Sequence, residues 1–227
     1  MKLLGNVSLV AQDAAADGEG VINMLVSYFN QGGDFMWPVL IILIIGLAIA
    51  FERVIQLVLA DVNTRKFIVS VKKALDEGGV SAAEAICAET RGPVASVFQA
   101  GLLRANEGID AVEKAVVAYG SIEMSFLERG LVWLSLFIAL APMFGFLGTV
   151  IGMVEAFDAI EAAGDISPSL VARGIKIALL TTVFGLIVAI ILQFFYNYAV
   201  SKIDRIVVEM EEASIELIDS LVIMDSA

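Results

Sequence analysis

The chain has no histidine and a single cysteine, Cys87. The lack of histidine removes the commonest metal ligand and the commonest proton carrier at neutral pH. One cysteine cannot close an internal disulfide, so the fold does not need an oxidising compartment. Basic residues are scarce, with 14 Lys and Arg against 26 Asp and Glu and a net charge of −12. That balance argues against the basic patch that nucleic-acid binding requires. The sequence carries no phosphate loop, no metal-ligand spacing and no nucleophile–base pair, so neither an enzyme nor a bound cofactor is expected.

What is present is oil. Hydrophobic residues make up 59% of the 227 residues, where a soluble domain has roughly 45–50% on a similar count. The excess sits in three long blocks, and the remainder is charged and helix-forming. This is the pattern of an all-α integral membrane protein. The first block runs from Phe35 to about Ala60 and is interrupted by Glu52 and Arg53. An adjacent acid and base near one end can reach the interface or a neighbouring helix. The second block, Gly130 to Val154, and the third, Ile177 to Val200, carry no charge.

The placement of Lys and Arg sets a direction. Asp13, Asp17, Glu19 and Asp34 precede the first block, while Arg65, Lys66, Lys72 and Lys73 follow it. Asp158, Glu161 and Asp165 follow the second block, and Lys202 and Arg205 follow the third. Arg173 and Lys176 run against the bias. The expected layout is an outer segment over 1–34, transmembrane helices over 35–60, 130–156 and 175–200, a helical region on the inner side over 61–129, a short outer loop over 157–174 and a C-terminal helix on the inner side over 201–227. Trp37, Trp133, Tyr196 and Tyr198 lie at the ends of the blocks, as interfacial aromatics do. The opening "MKLLGNVSLVAQDAAADGEG" has one basic residue, Lys2, and an apolar stretch broken by Gly5, Asn6 and Ser8. It reads as a short polar tail in preference to a cleaved signal.

Outside the blocks the pattern is helical. Ile22, Leu25, Val26 and Phe29 share one face of a short amphipathic helix, suited to the membrane surface or to a partner. Gly78 and Gly79 end a helix, Ser81 with Glu84 fits a capping box, and Pro93 suits a first helical position. Asp110 with Glu113 opens a further helix. With no proline until Pro142, that helix is expected to run on into the second span. The third span is expected to continue as a heptad seam of Val200, Ile203, Val207, Met210, Ser214, Leu217, Leu221 and Met224, packed on a second copy or on the chain's own long helix.

The second span holds Gly145, Gly148 and Gly152 largely on one face, a small-residue stripe that lets helix backbones approach closely in lipid. Pro142 frees a carbonyl and can bend the helix. Thr149 in the second span and Thr182 in the third each lie roughly 10 Å below the outer end of their span. In antiparallel helices these hydroxyls share one level, and Thr181 is beside it. A threonine in lipid commonly bonds its own backbone. Around the axis of an oligomer, the same hydroxyls would make a polar ring.

The stretches "APMFGFLGTVIGMVEAF" and "GIKIALLTTVFGLIVAI" resemble the paired signature of the ExbB/TolQ family, which is related to the MotA flagellar stator proteins. The resemblance implies a ring, a pentamer in characterised members, around single-span partners of the ExbD/TolR type. It implies a bacterial inner membrane and a proton motive force that energises a TonB- or TolA-like transducer. The ionisable group in the pore would be an aspartate of the partner. Thr149 and Thr182 match the family's threonines. One position departs from the pattern: many members carry glutamate within "GIxEAL", where Ile177 stands here and Lys176 precedes it. Lys176 reads most simply as a snorkelling or partner-pairing charge at the outer edge, with gating as the alternative. Two competing readings are a non-conducting membrane scaffold for a single-span partner and a channel that works alone. The uncharged spans argue against the second.

Overall fold

The computed structural model describes residues 20, 23–60, 64–164 and 168–225. The polar opening, Ile22 of the amphipathic set, and residues 61–63 and 165–167 lie outside the described residues. Every element described is helical. After α1 (23–31) come α2 (Met36–Ala60), α3 (Thr64–Glu89), α4 (Pro93–Leu102), a 3-10 turn at Ala105–Glu107, α5 (Ile109–Glu128), α6 (Leu131–Ala163) and α7 (Pro168–Asp225). Three of these helices are long and apolar enough to cross a membrane, built on α2, α6 and α7. Only 28%, 22% and 28% of their most apolar stretches are buried within the chain. The outward side chains, among them Ile44, Phe146 and Ile190, would be costly in water and belong against lipid or protein.

The residues form two compact units. The first draws on Met1–Gly46 and Leu136–Leu192. Here α2 approaches α7 closely at Gly46, where a β-carbon would lie 2.6 Å from Leu192 Cδ1. Phe29 of α1 makes edge-to-face contacts with Trp37 and Phe184, while Leu25 and Val26 of the same helix stay exposed.

The second unit draws on Leu47–Ser135 and Gln193–Ala227. Its core joins Phe67, Val71 and Leu75 of α3, Val97 and Phe98 of α4, and Val112 and Val116 of α5 to the C-terminal part of α7. Phe67 and Phe98 meet edge to face at 5.3 Å. The buried stripe of α7 is Ala199, Ile203, Ile206, Met210, Ala213, Leu217 and Leu221. It differs from the expected seam, because Val200, Val207 and Ser214 are only partly buried and Met224 is exposed. The chain's own short helices, and not one parallel heptad partner, cover α7. Small alanines at 199 and 213 let them come close. At the rim, Thr64 Oγ1 donates to Glu209 at 2.9 Å and Lys72 pairs with Glu216 at 3.3 Å.

Two breaks matter for the layout. Gly79, at φ 71 and ψ −167, kinks α3 where the paired glycines predict an end. The expected continuous helix from Asp110 into the second span is interrupted: α5 stops at Glu128 and Gly130 adopts φ 90. A β-carbon at residue 130 would lie 2.8 Å from Arg53 Nε, so glycine supplies both the left-handed turn and room for the guanidinium. Arg53 is 9% exposed, and its Nη2 reaches Glu52 at 3.4 Å. The opening of α5 also differs from expectation. Gly108 occupies the N-cap position without a side-chain cap, and Asp110 sits in the first turn, favourably placed for the helix dipole.

Candidate functional site

The charge-free parts of α6 and α7 pack backbone to backbone. A β-carbon on Gly145 would lie 2.9 Å from the Thr181 carbonyl oxygen and 3.2 Å from Thr182 Cα. On Gly148 it would lie 2.7 Å from Thr181 Oγ1, and on Gly152 it would lie 3.3 Å from the Ala178 nitrogen. The three glycines singled out by spacing therefore all face one neighbour. That neighbour carries its own small-residue stripe, which the sequence reading missed. On Gly185 a β-carbon would lie 2.6 Å from the Ala141 carbonyl oxygen, and on Gly174 it would lie 3.1 Å from the Gly152 carbonyl oxygen. The pairs 152–178 and 145–185 show an antiparallel register. The signal for the second stripe was Gly174, Ala178, Thr181 and Gly185, spaced four, three and four apart.

The threonines sit at the closest part of this contact. Thr181 is wholly buried and donates to the Ala178 carbonyl of its own helix at 2.8 Å. Thr182, partly buried, donates across the interface to the Gly145 carbonyl at 3.2 Å. Thr149 is partly exposed and donates to the Phe146 carbonyl. Because Gly148 packs on Thr181, Thr149 and Thr182 lie at one level, and each hydroxyl is used on a backbone carbonyl. A hydroxyl that donates in this way keeps lone pairs with which to accept.

Around the level the surface is apolar. Pro142 is partly buried within α6, one residue after the fully buried Ala141. Ile177, at the position where the resemblance places glutamate, lies within 3.5 Å of a β-carbon built on Gly33. No carboxylate is available there. Lys176 is exposed on the side of α7 that carries Ala172, Leu179 and Val183. Among the described residues no three His, Cys, Asp or Glu side chains converge as a metal site would require. The arrangement offers neutral donors and acceptors on a rigid helix pair, which can hold a polar group from elsewhere but cannot ionise by itself.

Comparison with known proteins points the same way. The chain is 34% identical over 181 residues to a biopolymer transport protein ExbB homolog of Methanothermobacter thermautotrophicus, covering 79% of this chain and 64% of that protein. The match thus spans less than two thirds of that relative's length. It is 30% identical over 180 residues to the biopolymer transport protein ExbB-like 1 of Synechocystis, covering 78% of this chain and 71% of that one. A stretch of 64 residues is 40% identical to the biopolymer transport protein exbB1 of Vibrio cholerae, 28% of each chain. Residues 89–212, more than half of the chain and including both stripes and all three threonines, match the family model described as MotA/TolQ/ExbB proton channel family. The chain belongs to the MotA/TolQ/ExbB proton channel family.

Proposed function

We propose that this chain is the ring-forming subunit of an ion-driven energiser in the bacterial inner membrane. Its ring, a pentamer by the family resemblance, surrounds an ExbD/TolR-like single-span partner and powers a TonB- or TolA-like transducer. The N-terminus is periplasmic and the C-terminus cytoplasmic, a direction supported by the basic residues that follow the first and third spans. The observation that carries the reading is the charge-free stretch of the α6–α7 pair with Thr149 and Thr182 at one level. The ionisable group comes from the partner. Each threonine donates a hydrogen bond to a backbone carbonyl and can accept one from a protonated carboxyl. After reorientation, each can donate to the carboxylate. Both protonation states are therefore met without a fixed charge, and Thr181 keeps the two helices in register.

The test is reconstitution of the chain with its single-span partner in vesicles, with ion flow followed by an internal pH dye. Partner-dependent, potential-driven flow is expected. A complex of the expected mass that passes no ions would sink the reading. The backbone bonds of all three threonines favour one alternative, a non-conducting scaffold in which the hydroxyls only secure packing. A scaffold would keep its activity when the membrane potential is collapsed, and an energiser would lose it.

A further inference from the structure

The outer end of the α6–α7 pair carries opposite charges on opposite edges. On α7 the charges are Arg173 and Lys176, and on α6 they are Glu155, Asp158 and Glu161, all exposed. Among the described residues none of these five takes part in an ion pair. Helix geometry explains why they do not pair within the chain. Ala178 faces Gly152, and Lys176, two residues away, points about 200° round the helix, directly away from α6. On α6, Glu161 lies nine residues beyond Gly152 and points about 180° from α7, with Asp158 beside it on the same edge. The basic and acidic edges are thus separated by the full width of the pair.

The depths match. The contacts of Gly152 with Ala178 and of Gly174 with Ala156 put Asp158 level with residue 172, one turn, or about 6 Å, outward of Lys176. Side chains lean toward the N-terminus of their own helix. In this antiparallel pair Lys176 therefore leans outward and Asp158 leans inward, which closes the gap. Leu179 and Val183 continue the Lys176 face as exposed apolar surface, so the lysine borders an area that needs cover.

We infer that Lys176 of one copy pairs with Asp158 of the next, in a head-to-tail contact between the outer ends of neighbouring helix pairs. A partner carrying an acid would satisfy Lys176 but leave the acidic edge unmatched. A second copy placed at the same depth satisfies both edges at once. A two-fold contact would bring Lys176 against Lys176 and acid against acid, which is repulsive, whereas a repeated head-to-tail contact closes into a ring when its rotation divides the circle. The inference rests on the ring proposed above and adds the specific pair that joins neighbouring copies.

The test uses cysteine cross-linking in membranes, in a Cys87→Ser background. Copies carrying only Lys176→Cys are expressed together with copies carrying only Asp158→Cys, then treated with a flexible bismaleimide, because the axial offset added to the spacing between helices exceeds the reach of a direct disulfide. A shift from monomer to dimer is expected in the mixture and not in either variant alone. A chain carrying both substitutions should give a ladder of higher species. Lys176→Cys copies that dimerise with one another would overturn the head-to-tail direction. No cross-link in the mixture, with the native mass still that of an oligomer, would overturn the pair and leave the energiser reading standing. A monomeric native mass for the unmodified chain would remove the ring itself. As a second check, Lys176→Asp should lower the native mass and addition of Asp158→Lys should restore it; failure of the restoration counts against the pair. Cross-links that form in a complex unable to pass ions would support the contact while removing the energiser.

Discussion

The hydroxyl of Thr182 donates to the carbonyl of Gly145 across 3.2 Å, joining the charge-free stretches of α6 and α7 at the point where Gly148 packs on Thr181. This bond ties the proposed ion path to the packing of the helix pair. Replacing Thr182 with Val keeps the branched shape and removes one hydrogen bond worth about 1 kcal/mol. Assembly with the partner should survive. Ion flow is expected to fall by about tenfold, the effect of roughly 1.4 kcal/mol at the limiting step. Thr182→Ser should retain most of the flow. A Thr182→Val complex of normal mass that passes ions at the full rate would remove the hydroxyl from the path.

Backbone contact makes the glycines unequal. A β-carbon on Gly185 would lie 2.6 Å from the Ala141 carbonyl oxygen and 3.1 Å from Gly145 Cα, where no flexible side chain can yield. Gly185→Ala is expected to destabilise by about 1–3 kcal/mol through forced separation of the helices. Gly120, in the interior of α5, has nothing within 4 Å of its β-carbon position. Gly120→Ala should be neutral or stabilise by up to about 1 kcal/mol. Thermal unfolding in detergent compares the two, and equal midpoints would show that the α6–α7 contact is looser than described.

The second and third spans were legible because charge disappears for longer than the roughly 20 residues a crossing needs, and the first because only Glu52 and Arg53 interrupt an otherwise apolar block. Gly145, Gly148 and Gly152 were legible as a stripe because their spacing keeps them on one face. The opposing stripe was not, since Thr181 interrupts Gly174, Ala178 and Gly185 with a branched polar residue. The threonine acceptors were illegible for another reason. One carbonyl lies on Gly145, 37 positions earlier in the chain, and only the antiparallel register brings it near Thr182. The break at Gly130 was hidden because a lone glycine within a helical pattern is ambiguous until a positive φ and a packed Arg53 distinguish it. The seam of α7 was right at Ile203, Met210, Leu217 and Leu221 and rotated elsewhere, since heptad logic assumes one partner helix where three short ones cover it.

The second unit depends on α7 as its central support. Leu217 is 2% exposed and lies 3.3 Å from a β-carbon built on Gly101 of α4. Leu217→Ala leaves a cavity among α4, α5 and α7 and should cost about 2–5 kcal/mol. Val69 on α3 is 66% exposed, and Val69→Ala should change stability by no more than about 0.5 kcal/mol. Denaturant midpoints of the two variants provide the check. Similar midpoints would mean that the α7 stripe does not form this core.

Cys87, outside the spans in α3, is 2% exposed. Burial, reinforced by the negative charge of Glu84, pushes its thiol up from 9.0 to about 11. The folded state therefore favours the neutral thiol. The sign follows: the contribution to stability is complete below pH 9, where the thiol is protonated in both states. It is lost as the pH rises from 9 toward 11, because the unfolded chain ionises first. At pH 8 the thiolate is scarce and covered, so alkylation by iodoacetamide should be far slower in the folded protein than in denaturant. Mass spectrometry of the labelled fraction over time measures both rates. Equal rates at pH 8 would show that the pocket formed by α3 and its neighbours opens freely, and would contradict the burial that holds the thiol neutral.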